Sequence, residues 1–309
     1  MSRPRYRDLP DGCAWELQGA RLGALELLTP ERVVEAAQLV RTGRRFPLDL
    51  PLDEPSPPFF SREAFRHEVF SLAGDHVIDD KLDNFYPQAS TQWDAFGHFA
   101  HPERGFHGGA SVDEARAGAV GIEAWAEQGI AGRGVLLDVA RHAAAAGDAI
   151  EPDSSTVITA ELLDATSRDH GVELRTGDIL CVRTGWIGWY RGQGEGPRTQ
   201  IAEVSRTGRL RTPGLGPGPA IAEFLWDNGV VAIACDNPGV EPFPFQGEAK
   251  DCVHALVLAF LGIPLGEFFD FDALADDCAA AGTYEFLFTS TPMHLRGGIG
   301  SPPNALAIR

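Results

Sequence analysis

Ala160-Glu-Leu-Leu-Asp-Ala-Thr-Ser-Arg-Asp-His170, followed by Gly171 and then by Ile179-Leu-Cys-Val182, sets the fold class. A helix-like run stops at a glycine, and a strongly apolar run of strand length comes after it. The same order recurs in Gly121 to Gln128 with Val135 to Val139, and in Pro219 to Trp226 with Val230 to Cys235. Apolar runs too short for helices, alternating with helices, are strands buried on both faces, so the pattern predicts an α/β layer arrangement. Runs this short do not fix strand order or direction. Two candidate strands carry an aspartate at the end, Asp138 and Asp236. Ligands in open α/β sheets gather beyond strand ends, which makes Asp236-Asn237-Pro238 a candidate pocket edge and Asn237 a candidate substrate contact. The competing reading is a turn that begins before a proline.

Upstream, Thr29 reads as a helix N-cap, with Pro30 and Glu31 in the first turn, Val33, Val34, Ala37 and Val40 on one face, and Gly43 as terminator. Five prolines between Pro47 and Pro58 exclude a helix or a central strand there. That stretch is expected to be a crossing loop or edge segment, or equally a lid or a subunit contact, and residues 1 to about 60 an arm or subunit contact. Arg191 to Gly218, rich in glycine and proline, is expected to be a long mobile loop.

With 309 residues, 44% of them hydrophobic, the chain can bury a large core as a single domain. Its formal charge of -18 repels nucleic acid and anionic membranes and favours a small neutral or aromatic substrate. No apolar run has the length of a membrane span, and Met1 to Pro10 contains no hydrophobic signal core, so a cytoplasmic protein is expected. The five cysteines form no Cys-x-x-Cys pair and predict neither a disulfide framework nor a thiolate zinc site. Nucleotide-binding glycine motifs and a Gly-x-Ser-x-Gly elbow are both missing.

Chemistry concentrates in Gln88-Ala-Ser-Thr-Gln-Trp-Asp-Ala-Phe-Gly-His98, with His101 and His107 close behind. Asp94 and His98, four positions apart, can meet so that the carboxylate orients the ring or both bind one cation. A purely local metal set would join Asp94, His98 and His101. Trp93 and Phe96 interleave these groups and, with Trp186, are candidates for a flat wall against an aromatic substrate. Gln88 and Gln92 would be neutral oxygen donors, better matched to manganese or magnesium than to zinc. Far along the chain, His254 opens an apolar helix-like run, and Glu267 follows its terminating turn.

Those two regions are linked by a resemblance. The chain is similar to the cyclase superfamily that includes bacterial kynurenine formamidase and isatin hydrolase, nearly end to end. The residues that carry the likeness are Thr29-Pro-Glu-Arg32, Leu39-Val-Arg-Thr-Gly43, Thr91-x-x-Asp94-x-x-x-His98 and Gly177-Asp-Ile-Leu-x-Val-Arg-Thr-Gly-Trp186. Pro213-Gly-Leu215, Val231-Ala-Ile-Ala-Cys-Asp236, His254 to Glu267 and Gly298-x-Gly-Ser-Pro302 continue it. The family signature His-x-Gly-Thr-His-x-Asp-x-Pro-x-His uses two histidines and the aspartate as metal ligands and the last histidine for proton transfer. Laid on this chain, the aspartate is Asp94 and the last histidine His98, while Gln88 and Gln92 stand where the ligand histidines would be. His254 and Glu267 match the family's later ligands.

The resemblance implies an α/β fold of the swivelling β/β/α type, a barrel-like mixed β core surrounded by helices, and a homo-oligomer. Its implied chemistry is hydrolysis of a C–N bond in a small amide or lactam, with His98 as general acid and base and a divalent metal on Asp94, His254 and Glu267. Exchange of two imidazoles for amides leaves two outcomes open, a harder ion such as manganese or no ion. The alternatives are a metal-free lyase, cyclase or isomerase that uses His98 and Asp94, and a non-catalytic binding protein.

Overall fold

The computed structural model describes residues 3–309. Along the chain the strands are β1 (Arg45–Pro47), β2 (Arg66–Ser71), β3 (Ile78–Asp83), β4 (Gln92–Asp94), β5 (Ile130–Asp138), β6 (Val157–Ile158) and β7 (Ile179–Arg183). They continue with β8 (Gly214–Leu215), β9 (Ala232–Cys235), β10 (Leu265–Glu267), β11 (Glu285–Ser290), β12 (Gly300–Ser301) and β13 (Leu306–Ile308). Nine of them form one mixed sheet in the order β1-β13-β11-β5-β7-β9-β10-β4-β12, curled into a half-barrel with helices around it. The three recurring apolar runs are its centre: β5, β7 and β9 lie side by side and parallel, and they are almost wholly buried. The α/β expectation holds. No helix among the described residues is long and apolar enough to cross a membrane.

Several local expectations need correction. The first central strand begins at Ile130, five residues before the apolar run suggests, because Gly132 and Gly134 belong to it. A Cβ on Gly134 would lie 2.2 Å from the Phe286 ring on β11, so glycine there makes room for an aromatic neighbour instead of breaking the strand. Val139 starts a helix, capped by Asp138 through the backbone N–H of Arg141. Arg191 to Gly218 is no loop: it contains a helix at Glu195–Ser205 and then β8, which pairs with β6. Pro197 is tolerated because it sits in the first turn, where the missing N–H has no helical partner to lose.

The Pro47 to Pro58 stretch begins as edge strand β1 and continues as a loop pinned to the sheet. Leu50 N–H donates to Thr91 Oγ1 at 2.8 Å, and that hydroxyl donates to Phe268 O at 2.7 Å. The first described residues do not stand off as an arm. Trp15 Nε1 and Gln18 Nε2 donate to Ala259 O and Leu261 O, each at 2.7 Å, which straps the N-terminal turns over the helix that follows His254.

Candidate functional site

β4 is where the site is built. Side chains alternate across a strand, so Gln92 and Asp94 share one face while Trp93 takes the other. Antiparallel pairing with β10 sets Glu267 opposite Gln92, Gly266 opposite Trp93 and Leu265 opposite Asp94. Glu267 therefore joins Gln92 and Asp94 on the same side, across about 5 Å of backbone. Gly266 is required by Trp93, since a Cβ there would lie 2.8 Å from the indole. On the far side the chain from His254 to Phe260 winds as a π-helix and delivers His254 at its first position. Wide π turns of this kind recur at functional sites.

The donor atoms converge. His98 Nε2 lies 3.8 Å from Asp94 Oδ1, His254 Nε2 lies 3.6 Å from Asp94 Oδ2, and His254 Nε2 lies 3.5 Å from Glu267 Oε1. Asp94, His98 and His254 each present a ligand atom within 4.8 Å of the other two. Both Asp94 oxygens are buried without a hydrogen-bond partner, as is Gln92 Oε1, whereas Gln92 Nε2 donates to Glu267 Oε2 at 2.6 Å. Orphaned carboxylate oxygens in a core are costly, and they make sense as ligands that await a cation. Donors held by one ion at about 2.1 Å with tetrahedral angles stand roughly 3.4 Å apart, near the separations seen here.

The electrostatics follow from burial and neighbours. Burial alone would raise the Asp94 pKa, but His98 and His254, with a smaller contribution from Arg62, outweigh it and hold the carboxyl below its ordinary value. Burial and the charge of Asp94 push Glu267 up to about 7. Burial works against charge on His254, yet Glu241, Asp94 and Glu267 together keep its pKa well above the ordinary imidazole value. Burial lowers His98, and Asp94 only partly offsets that. His98 is also the open edge of the cluster: its side chain is 26% exposed, against 0% for Asp94 and 6% for His254 and Glu267.

Glu241 is the site residue that sequence reading missed. Its carboxylate accepts from His254 backbone N–H at 2.7 Å and lies 2.8 Å from Nδ1, so it fixes the ring and leaves Nε2 facing Asp94. Asn237 supports it. The Asn237 Nδ2 donates to Pro213 O at 2.7 Å and Glu241 O at 3.2 Å, which braces the Glu241 loop, while its Oδ1 is buried without a partner. Val240 and Phe268, next to Glu241 and Glu267, both adopt left-handed backbone, with φ of 58° and 56°. Strain at non-glycine residues is a mark of functional loops. Asp236 also serves the fold, accepting from Thr184 N–H, Thr184 Oγ1 and Gly185 N–H at 2.7 to 2.8 Å.

The expected aromatic wall lies elsewhere. Trp93 is fully buried against Phe269 and Phe288 with Nε1 donating to Ser290 Oγ at 2.9 Å; Phe96 packs on His107 and Trp125; Trp186 stacks on Tyr190 in a second core. The cause is strand alternation, which sends Trp93 to the opposite face from Asp94. We predict that Trp93→Ala costs about 3 to 5 kcal/mol of folding stability by denaturant titration. A raised KM with unchanged stability would return Trp93 to the pocket. The half-buried ring of Phe99, 5.2 Å from that of His254, lines the site instead.

Gln88 lies against Gly300, the residue paired with Asp94 on β12, and so borders the cluster. His101 stacks on Phe260 and accepts from Glu103 N–H, which takes it out of the local metal set. His107 donates from Nδ1 to Ala259 O. Arg183 bridges Asp138 and Asp272 and braces the fold.

Residues 38–242, most of the chain, match the Cyclase family model. The chain belongs to the cyclase family. A crystal structure of a novel cyclase is similar over 96% of this chain and 99% of its own, with 28% identity and a TM-score of 0.83. Isatin hydrolase A from Ralstonia solanacearum shares 17% identity at a TM-score of 0.64, over 91% of this chain and 98% of its own. An isatin hydrolase bound to the product analogue thioisatinate shares 17% identity at a TM-score of 0.57, over 90% and 98%. At that identity the isatin hydrolases speak for the fold of this cyclase. No curated protein matches it.

Proposed function

We propose that this cyclase is a hydrolase that cleaves a C–N bond in a small amide or lactam with the help of a divalent metal. The observation that carries the reading is Asp94, a fully buried carboxylate whose two unpartnered oxygens face imidazole nitrogens at 3.8 and 3.6 Å. Asp94, His254 and Glu267 would hold the ion, with Gln92 Oε1 as a neutral donor. An oxygen-rich set of this kind suits manganese or magnesium better than zinc. When bound, the ion supplies a Lewis acid that polarises the carbonyl and makes water more acidic.

The protein's own part is proton transfer and alignment. His98, neutral because burial lowers its pKa and open to the substrate side, takes a proton from water as it adds to the carbonyl carbon. It then gives that proton to the leaving nitrogen as the C–N bond breaks. Glu241 keeps His254 aimed.

Protein purified without chelator is expected to carry about one divalent ion per chain. It should hydrolyse members of a panel of formanilides and five-membered lactams, with isatin, the compound for which the structurally similar isatin hydrolases are named, tried first. Chelation should abolish turnover and manganese should restore it. Turnover by metal-free protein would overturn the reading in favour of a proton-transfer lyase or isomerase.

A further inference from the structure

The turn that follows Phe59 carries a cation that pairs with no carboxylate among the described residues. Phe59 is buried edge-on against Trp186, Tyr190 and Phe268, next to Glu267. Phe60 and Ser61 then take left-handed backbone, with φ of 56° and 64°, and Arg62 N–H returns to Phe59 O at 3.1 Å. A further bond, Phe60 N–H to Ser205 Oγ at 3.1 Å, pins the turn. The chain thus adopts an uncommon conformation at two consecutive non-glycine residues to present Arg62.

Arg62 Nη1 is shielded from solvent and has no hydrogen-bond partner among the described residues. Arg133, Arg183 and Arg191, by contrast, are each paired with two carboxylates. A guanidinium always carries its charge and offers five donors, so a shielded, unpaired N–H is a cost that a ligand oxygen would remove. The charge reaches Asp94, His98 and Glu267. Beside it the Phe60 ring lies 5.4 Å from the guanidinium carbon and 5.4 Å from the Phe243 ring, which adjoins the half-exposed Phe245.

We propose that Arg62 is the specificity-determining anchor of the site and receives an anionic oxygen of the substrate, so that the substrate class is a flat apolar body bearing a carboxylate. The body lies along Phe60, Phe243 and Phe99, and the carboxylate pairs with Arg62. The inference rests on the hydrolase reading for where substrate binds. It adds a charge requirement that the overall acidity of the chain conceals.

Benzoate and benzamide, alike in shape and different in charge, separate the two ideas. Calorimetric titration of manganese-loaded protein should show wild type binding benzoate, with Arg62→Gln weakening it at least tenfold and changing benzamide less than twofold. Arg62→Lys should recover part of the loss and supplies a second variant if Arg62→Gln does not fold. The pull of the metal on a carboxylate is common to all three proteins, so the difference reports Arg62. Unchanged benzoate affinity in Arg62→Gln, equal loss of both probes, or no benzoate binding by wild type overturns the proposal. The readout is binding, so it can fail while metal-dependent hydrolysis stands, and hydrolysis can fail while it holds.

Discussion

Asp94→Asn should yield a folded protein that holds no divalent ion and turns over no substrate. The substitution keeps shape and replaces one oxygen by an amide nitrogen that can only donate, where His98 and His254 both present Nε2. Loss of an anionic ligand exceeds the 10- to 100-fold weakening typical of outer groups, so metal affinity should fall by more than about 100-fold. Glu241→Gln, which alters the partner of the His254 backbone N–H and of Nδ1 but replaces no proposed ligand atom, should stay within that 10- to 100-fold range. Metal-free Asp94→Asn should melt somewhat below metal-free wild type at neutral pH, because a carboxyl held below its ordinary pKa by His98 and His254 stabilises the fold when ionised, and the rise in melting temperature on adding manganese should disappear. Stoichiometric metal in the variant, measured by elemental analysis, would refute the assignment.

Protons compete for the same place. Without metal, His254 keeps a proton on the nitrogen that faces Asp94 and Glu267, and Glu267 titrates near 7. Both protons must leave before those atoms can act as ligands, so metal uptake releases protons and metal affinity falls as pH drops through about 7.

How much of this was legible in the sequence follows the range of each interaction. β5, β7 and β9 are buried on both faces, so their apolar runs announce themselves locally, and the α/β class could be read from three repeats. Asp94 and His98 were legible because four residues bring them together. His254 and Glu267 were placed through resemblance alone, since nothing local joins residues about 160 positions from Asp94. Trp93 was misread because three residues from Gln92 to Asp94 carry too little alternation to be recognised as a strand. Its partners Gly266 and Ser290 arrive from distant parts of the chain. Glu241 lay in a stretch of prolines, glycines and phenylalanines with no periodicity, and only the folded loop shows it gripping His254. A signal was nonetheless present. An unpaired acidic residue between Asp236-Asn237-Pro238-Gly239 and Pro242, just beyond a buried strand, is where open α/β sheets place ligand-binding groups.

His98→Ala should separate the metal from the proton. If His98 transfers protons, kcat falls about 10²- to 10⁴-fold while metal content stays at the wild-type value. The pH profile gives a second, independent readout. Burial lowers the His98 pKa, so in wild type the neutral base is already dominant at neutral pH, and activity should fall as acid protonates the ring below its ordinary range. That acid limb belongs to His98 and should vanish in the variant, leaving only the dependence set by metal uptake. The alternative is that His98, whose Nε2 stands 3.8 Å from Asp94, is itself a ligand. Metal and turnover would then be lost together, and the proton would have to pass through another group. Exposure favours proton transfer: among Asp94, His98, His254 and Glu267, His98 has the most exposed side chain, and a base that must meet both water and a leaving nitrogen has to stand at that edge.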